Sequence, residues 1–173
     1  MISRKRTLGI ILVLLFCHLV VRQRVSYIHD SSGKMIGPDF ALLSVMFAGL
    51  GRGGVWGIVT GFVLGVIEDS FRPLSFGVNA FVNVIVGFIS GLAGERVFHQ
   101  TLPIMFLLIM GLKYVSDLLL SLHNLALGQG GLASQLLVYS PLSALFTSAA
   151  GILILMGLSF LEEGRLRDEN GSS

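Results

Sequence analysis

Charge is scarce in this chain, and that scarcity excludes most soluble folds of its length. Aspartate, glutamate, lysine and arginine make up 13% of 173 residues, and 53% are hydrophobic. A soluble domain carries roughly 25% charged residues. Cysteine is scarcer still: Cys17 is the single one, so no intrachain disulfide can form. The histidines, His18, His29, His99 and His123, fall on different segments and lack the paired spacing of a zinc protease. "DSSGK", Asp30 to Lys34, lacks the upstream glycine and the following hydroxyl of a phosphate loop. "FISG", Phe88 to Gly91, has phenylalanine where a rhomboid-type serine protease has its first glycine. No catalytic constellation or cofactor motif emerges, so neither an enzyme nor a cofactor is expected. The net charge of +2 comes from basic residues at the edges of apolar runs. Such residues set membrane topology and do not form the clustered basic face that binds nucleic acid.

What the chain has instead is long apolar runs. A helix needs ~20 largely apolar residues to cross ~30 Å of hydrocarbon, and several stretches approach or reach that length. The expected fold is all-α: a polytopic membrane protein, a bundle of about six transmembrane helices. The spans read Thr7–Ser26, Pro38–Leu50, Gly54–Asp69, Phe76–Ala93, Leu102–Ala126 and Gln135–Leu161. The N-terminal "MISRKRTLGIILVLLFCHLVV" resembles a signal peptide but lacks a small-residue cleavage site, and Phe16 before Cys17 spoils a lipoprotein site. It reads as a retained first span. Residues 1–161 form one transmembrane domain, and 162–173, "EEGRLRDENGSS", read as a polar, disordered cytoplasmic tail. In a six-span layout Arg4, Lys5, Arg6, Arg52, Arg96, Arg165 and Arg167 share one side, while Arg22, Arg24, Lys34 and Arg72 share the other. The excess places both termini in the cytoplasm. Merging the second and third segments into one span would invert the C-terminus.

"GGVWGIVTGFVLGVIED", Gly53 to Asp69, puts glycine at every fourth position and then a carboxylate. Lipid is as apolar as leucine, so helices in a bilayer associate by close backbone approach over small residues. Asn79, Asn83, Gly87, Gly91 and Glu95 repeat the spacing in the next span. With the two spans antiparallel, Gly57, Gly61 and Gly65 form one packing strip, and Gly57 and Gly61 are expected to meet Gly87 and Gly91. Asp69 then lies level with Asn79, and a carboxylate near hydrocarbon needs the donors that Asn79 or Asn83 supply. That clasp is expected to shape a polar pocket open to the outer leaflet.

Other polar residues stand out against so apolar a background. Lys113 and Asp117 lie one turn apart in the fifth span, within mutual reach. Such a pair can be structural or functional. Tyr114, Ser116 and Ser121 add hydroxyls, which suggests that this span faces protein. Pro38 and Asp39 open the second span, where proline loses no hydrogen bond and an acidic residue meets the positive end of the helix dipole. Arg52 and Glu95 could pair near the cytoplasmic face, and Glu68 and Arg72 read as interfacial.

The run from Gly37 to Gly91 resembles the MreD family of bacterial rod-shape proteins. Pro38 and Asp39 opening an apolar span, the glycine-rich Gly57 to Asp69, and "GVNA", Gly77 to Ala80, carry the resemblance in order and spacing. "FRPL", Phe71 to Leu74, departs from the family's more usual small-residue loop. The resemblance implies a non-catalytic, multi-pass scaffold in the bacterial inner membrane that binds MreC. It also implies membership of the cell-elongation complex that makes peptidoglycan, with RodA and a class B penicillin-binding protein, and indirectly MreB. The family's implied fold is that of the substrate-binding S components of energy-coupling-factor transporters. A vitamin-binding S subunit is therefore the alternative function, although "GIILVLLFCHLV" lacks the alanine pair such subunits use for docking.

Overall fold

The computed structural model describes residues 37–71, 75–97, 102–128 and 135–171, together with Gly9. Among them the backbone forms five α-helices, α1 (Phe40–Arg52), α2 (Gly54–Asp69), α3 (Val78–Val97), α4 (Leu102–Ala126) and α5 (Ser140–Gly171). A π-helical turn, Gln135–Tyr139, leads into α5. The described residues include no strand. Apart from Gly9, the first expected span, Thr7–Ser26, and residues 27–36 after it lie outside the described residues.

α1 is set at both ends by its sequence. Asp39 accepts a hydrogen bond from the Leu42 amide at 3.0 Å, satisfying a donor that the helix cannot satisfy itself. At the other end Gly53 adopts φ 91°, a left-handed conformation that a side chain resists, and the chain reverses at once into α2. Ala41 to Leu50 are all buried, and α1 packs against each of the other four helices. Most of the hydrophobic core comes from it: Leu42, Leu43, Val45, Met46 and Phe47 join Leu64, Val86, Ile109 and Leu112.

α2 and α3 form an antiparallel hairpin around α1, and α4 and α5 form a second pair, with Ile109 lying over Gly151. The outward faces are apolar: Val55, Val59 and Phe62 on α2, Phe81 and Leu92 on α3, Leu107 and Leu122 on α4, Leu145 and Leu153 on α5 are exposed. Burying α1 while presenting such faces outward suits a protein whose solvent is hydrocarbon.

Two of these helices, Leu102–Ala126 and the Ser140–Gly157 part of α5, are long and apolar enough to cross a membrane by themselves. α4 has the bounds expected of the fifth span. The expected second span is different in kind. With 13 residues it measures about 20 Å at ~1.5 Å per residue, too short to cross, and its burial makes it an interior helix. The last helix starts at Ser140, after the π turn, and runs on to Gly171. It thus continues through residues whose polarity alone suggested an unstructured tail.

Candidate functional site

The glycine-rich helices meet backbone to backbone. A Cβ placed on Gly57 would overlap the Gly87 carbonyl, and one on Gly87 would overlap that of Gly57. Gly61 faces the Asn83 carbonyl, Gly65 the Ala80 backbone, and Gly91 the backbone of Gly54. Gly57 therefore meets Gly87 as the spacing suggests, but Gly61 meets neither Gly87 nor Gly91. The register is one turn from the expected one, because Gly54 extends the strip at its beginning and takes Gly91. A third helix enters the same contact. A Cβ on Gly49 of α1 would stand 2.7 Å from the Gly87 oxygen, and one on Gly94 of α3 the same distance from the Leu50 oxygen. Sequence reasoning missed Gly49 and Gly94: Gly49 lies four residues before Gly53 and so continued the ladder backwards, while Gly94 lies three residues after Gly91, off the four-residue spacing.

The seam closes on Asp69, which is 0% exposed. Its Oδ1 accepts from the Asn79 amide nitrogen at 3.1 Å and from Asn79 Nδ2 at 2.7 Å. Its Oδ2 accepts from the backbone of Gly77 at 2.9 Å and of Ala80 at 3.0 Å. Gly77 has φ 95°, which turns its N–H toward the carboxylate as α3 begins. Asp69 is thus the N-terminal cap of α3 supplied from the end of α2, and the helix dipole favours a negative charge there. Asn83 lies elsewhere: its Nδ2 donates to Glu68 Oε2 at 3.1 Å. With four donors on two oxygens, Asp69 is turned inward onto the hairpin.

A second cluster joins the other elements. Lys113 Nζ sits 2.8 Å from Asp117 Oδ1, the expected pair, and 3.0 Å from Asp39 Oδ2. Asp39 therefore has two tasks, capping α1 with one oxygen and meeting Lys113 with the other. Its backbone N–H donates to Thr147 Oγ1 at 3.1 Å, and the Thr147 hydroxyl donates to the Ser143 carbonyl at 2.8 Å. The Ser140 hydroxyl hydrogen-bonds to Asp117. One lysine near the middle of α4 thus ties the start of α1 to a cluster shared with α5. Ser116 and Ser121 of α4 are buried, whereas Tyr114 is 39% exposed on the outward face. At the α1–α2 corner the Arg52 guanidinium lies 5.0 Å from the Trp56 ring centroid. The Glu95 side chain, expected near Arg52, and Arg72 lie outside the described residues.

Chemically, the carboxylates at both clusters act as acceptors that hold one helix to another. Among the described residues no group of three or more His, Cys, Asp or Glu side chains could hold a metal ion.

The family model for the rod shape-determining protein MreD matches residues 3–162. The chain belongs to the MreD family. No curated protein and no solved structure matches it. As an MreD-family chain it is a rod shape-determining membrane protein, and its apolar helices α4 and α5 fit that placement. The matched segment takes in the glycine seam, the Asp69 cap and the Lys113 cluster.

Proposed function

We propose that this MreD-family protein is a non-catalytic scaffold of the bacterial cell-elongation complex, spanning the inner membrane several times with both termini in the cytoplasm. It binds MreC through that protein's membrane helix and thereby takes its place with RodA and a class B penicillin-binding protein, MreB being linked indirectly. The observation that carries this reading is the family match over residues 3–162. The architecture supports it. Asp69 and Lys113 bond helix to helix and Asp117 holds Lys113 from within its own helix, while the outward faces are apolar. Recognition in lipid works through shape and small residues, and on α4 and α5 Gly111 and Gly157 face open space.

Co-purification from native membranes, with mass spectrometry of what remains bound, tests the reading. MreC is expected, accompanied by cell-wall synthases. Recovery of an ATP-binding cassette module without MreC would assign the chain to a vitamin transporter instead.

A further inference from the structure

The two helix pairs carry apolar faces of different height. On α2 the outward face holds Val55, Trp56, Val59, Phe62 and Val63, with Arg52 just before it and Glu68 just after it. From Arg52 to Glu68 the axial rise is about 24 Å at ~1.5 Å per residue. The apolar part of α3, Val78–Gly94, has about the same rise. On α4 the outward face runs apolar from Leu102 through Leu107, Val115 and Leu122 to Leu125, a rise of about 35 Å. On α5 the exposed apolar residues run from Leu142 to Phe160, about 27 Å.

A flat hydrocarbon layer of ~30 Å cannot match both α2 and α4. Tilting lowers the height that a helix projects, so it relieves α4 and worsens α2. The side chains that end the α2 face do not make up the difference by reaching outward. Glu68 is short and takes Asn83 Nδ2 at 3.1 Å, and Asp69 is turned inward onto α3. The Arg52 guanidinium lies back against Trp56, 5.0 Å from the ring centroid. With a bilayer of full thickness along α2, Glu68 would stand in hydrocarbon, where a carboxylate is costly. α2 packs chiefly on α3 and α1, which leaves its outer face on the flank away from α4 and α5.

We propose that the bilayer is thinned locally along α2 and α3, so that the protein stands between a thin flank and a thick one and gathers lipids of shorter acyl chain on the side of the glycine hairpin. A hydrophobic stretch shorter than the local hydrocarbon draws the bilayer down to its own height. The inference rests on the multi-pass placement proposed above and is independent of MreC.

Trp56 is the single tryptophan of the chain and sits, exposed, at the start of α2. The full-length protein is reconstituted in dioleoyl phosphatidylcholine with brominated chains, which quench tryptophan fluorescence on contact. Unbrominated phosphatidylcholine of shorter (dimyristoleoyl), equal (dioleoyl) or longer (dierucoyl) chains is then mixed in. At equal mole fraction the shorter lipid should displace the quencher from Trp56 about twofold better than dioleoyl does. In Trp56→Phe/Leu107→Trp, where the reporter moves to the exposed face of α4, that advantage should vanish. Equal displacement by shorter and equal chains at Trp56 would overturn the proposal. The same short-chain preference in both proteins would overturn it too, since the whole molecule would then be uniformly thin. Quenching of the Leu107→Trp reporter alone would mean that a second copy or a partner helix covers the α2 face, again against the proposal. Quenching of neither would refute the multi-pass placement itself.

Discussion

Between α2 and α3 the atoms in contact are backbone, Gly57 against Gly87 and Gly65 against Ala80. Between α1 and α4 they are the tips of side chains, with Lys113 reaching Asp39 and, on its own helix, Asp117. The first fastening depends on what is missing, since any Cβ at Gly57 intrudes on a carbonyl. The second depends on what is present and on its being complete, because each charge is tolerable in the interior only with its partner. A seam of glycines has no compensating substitution, for nothing is smaller. A charge cluster can in principle be rebuilt from apolar residues of similar volume.

The largest expected effect comes from breaking the cluster halfway. Lys113→Met strips the buried Asp117 of its ammonium and takes one partner from Asp39, and should lower stability by about 3–5 kcal/mol, measured by unfolding in detergent. Adding Asp117→Leu should restore part of the loss. A double variant no better than the single one would show that the cluster is no more replaceable than the seam. In the seam, Gly57→Ala should lower stability by about 3 kcal/mol, the upper part of the overpacking range. No second substitution at Gly87 should recover it, and recovery in a screen of Gly87 variants would contradict the backbone contact. Asp69→Ala strands the donors of Gly77, Asn79 and Ala80, at an expected cost of about 2 kcal/mol. Faster amide exchange at the start of α3 than at its end should accompany it. The smallest effect sharpens the contrast: Gly111 faces open space, so Gly111→Ala should be neutral or stabilising by up to ~1 kcal/mol. A loss at Gly111 as large as that at Gly57 would mean that α4 also carries a close contact there.

Legibility in the sequence followed the distance over which each feature is encoded. Four-residue glycine spacing is local, so the existence of a strip was readable from Gly53 to Gly65. Its register was not, because the strip winds around the helix and Gly54 was as available to Gly91 as Gly57 was. The Lys113 and Asp117 pair lies within one turn of one helix and was visible, but Asp39 joins it from 74 residues away. Nothing in a hydropathy profile marks that meeting. Asp69 was readable as a carboxylate in need of donors, while the identity of those donors, mostly backbone N–H groups of α3, depends on the loop geometry at Gly77. The interior position of α1 was concealed because a helix buried in protein and one bathed in lipid have the same apolar composition. Length was the distinguishing mark, and 13 residues fell short.

That shortness has a consequence for how the protein is made. A helix of about 20 Å leaves the hydrocarbon incompletely crossed, so a nascent α1 emerging alone from the translocon is poorly retained in lipid. With only Gly53 between them, α1 and α2 are suited to partition into the bilayer as a re-entrant pair. Until α3 is synthesised, the glycine faces of that pair have nothing to close against. Biogenesis of this protein is therefore cooperative over at least three helices: the segment that forms its centre is the one least able to enter the membrane without the others.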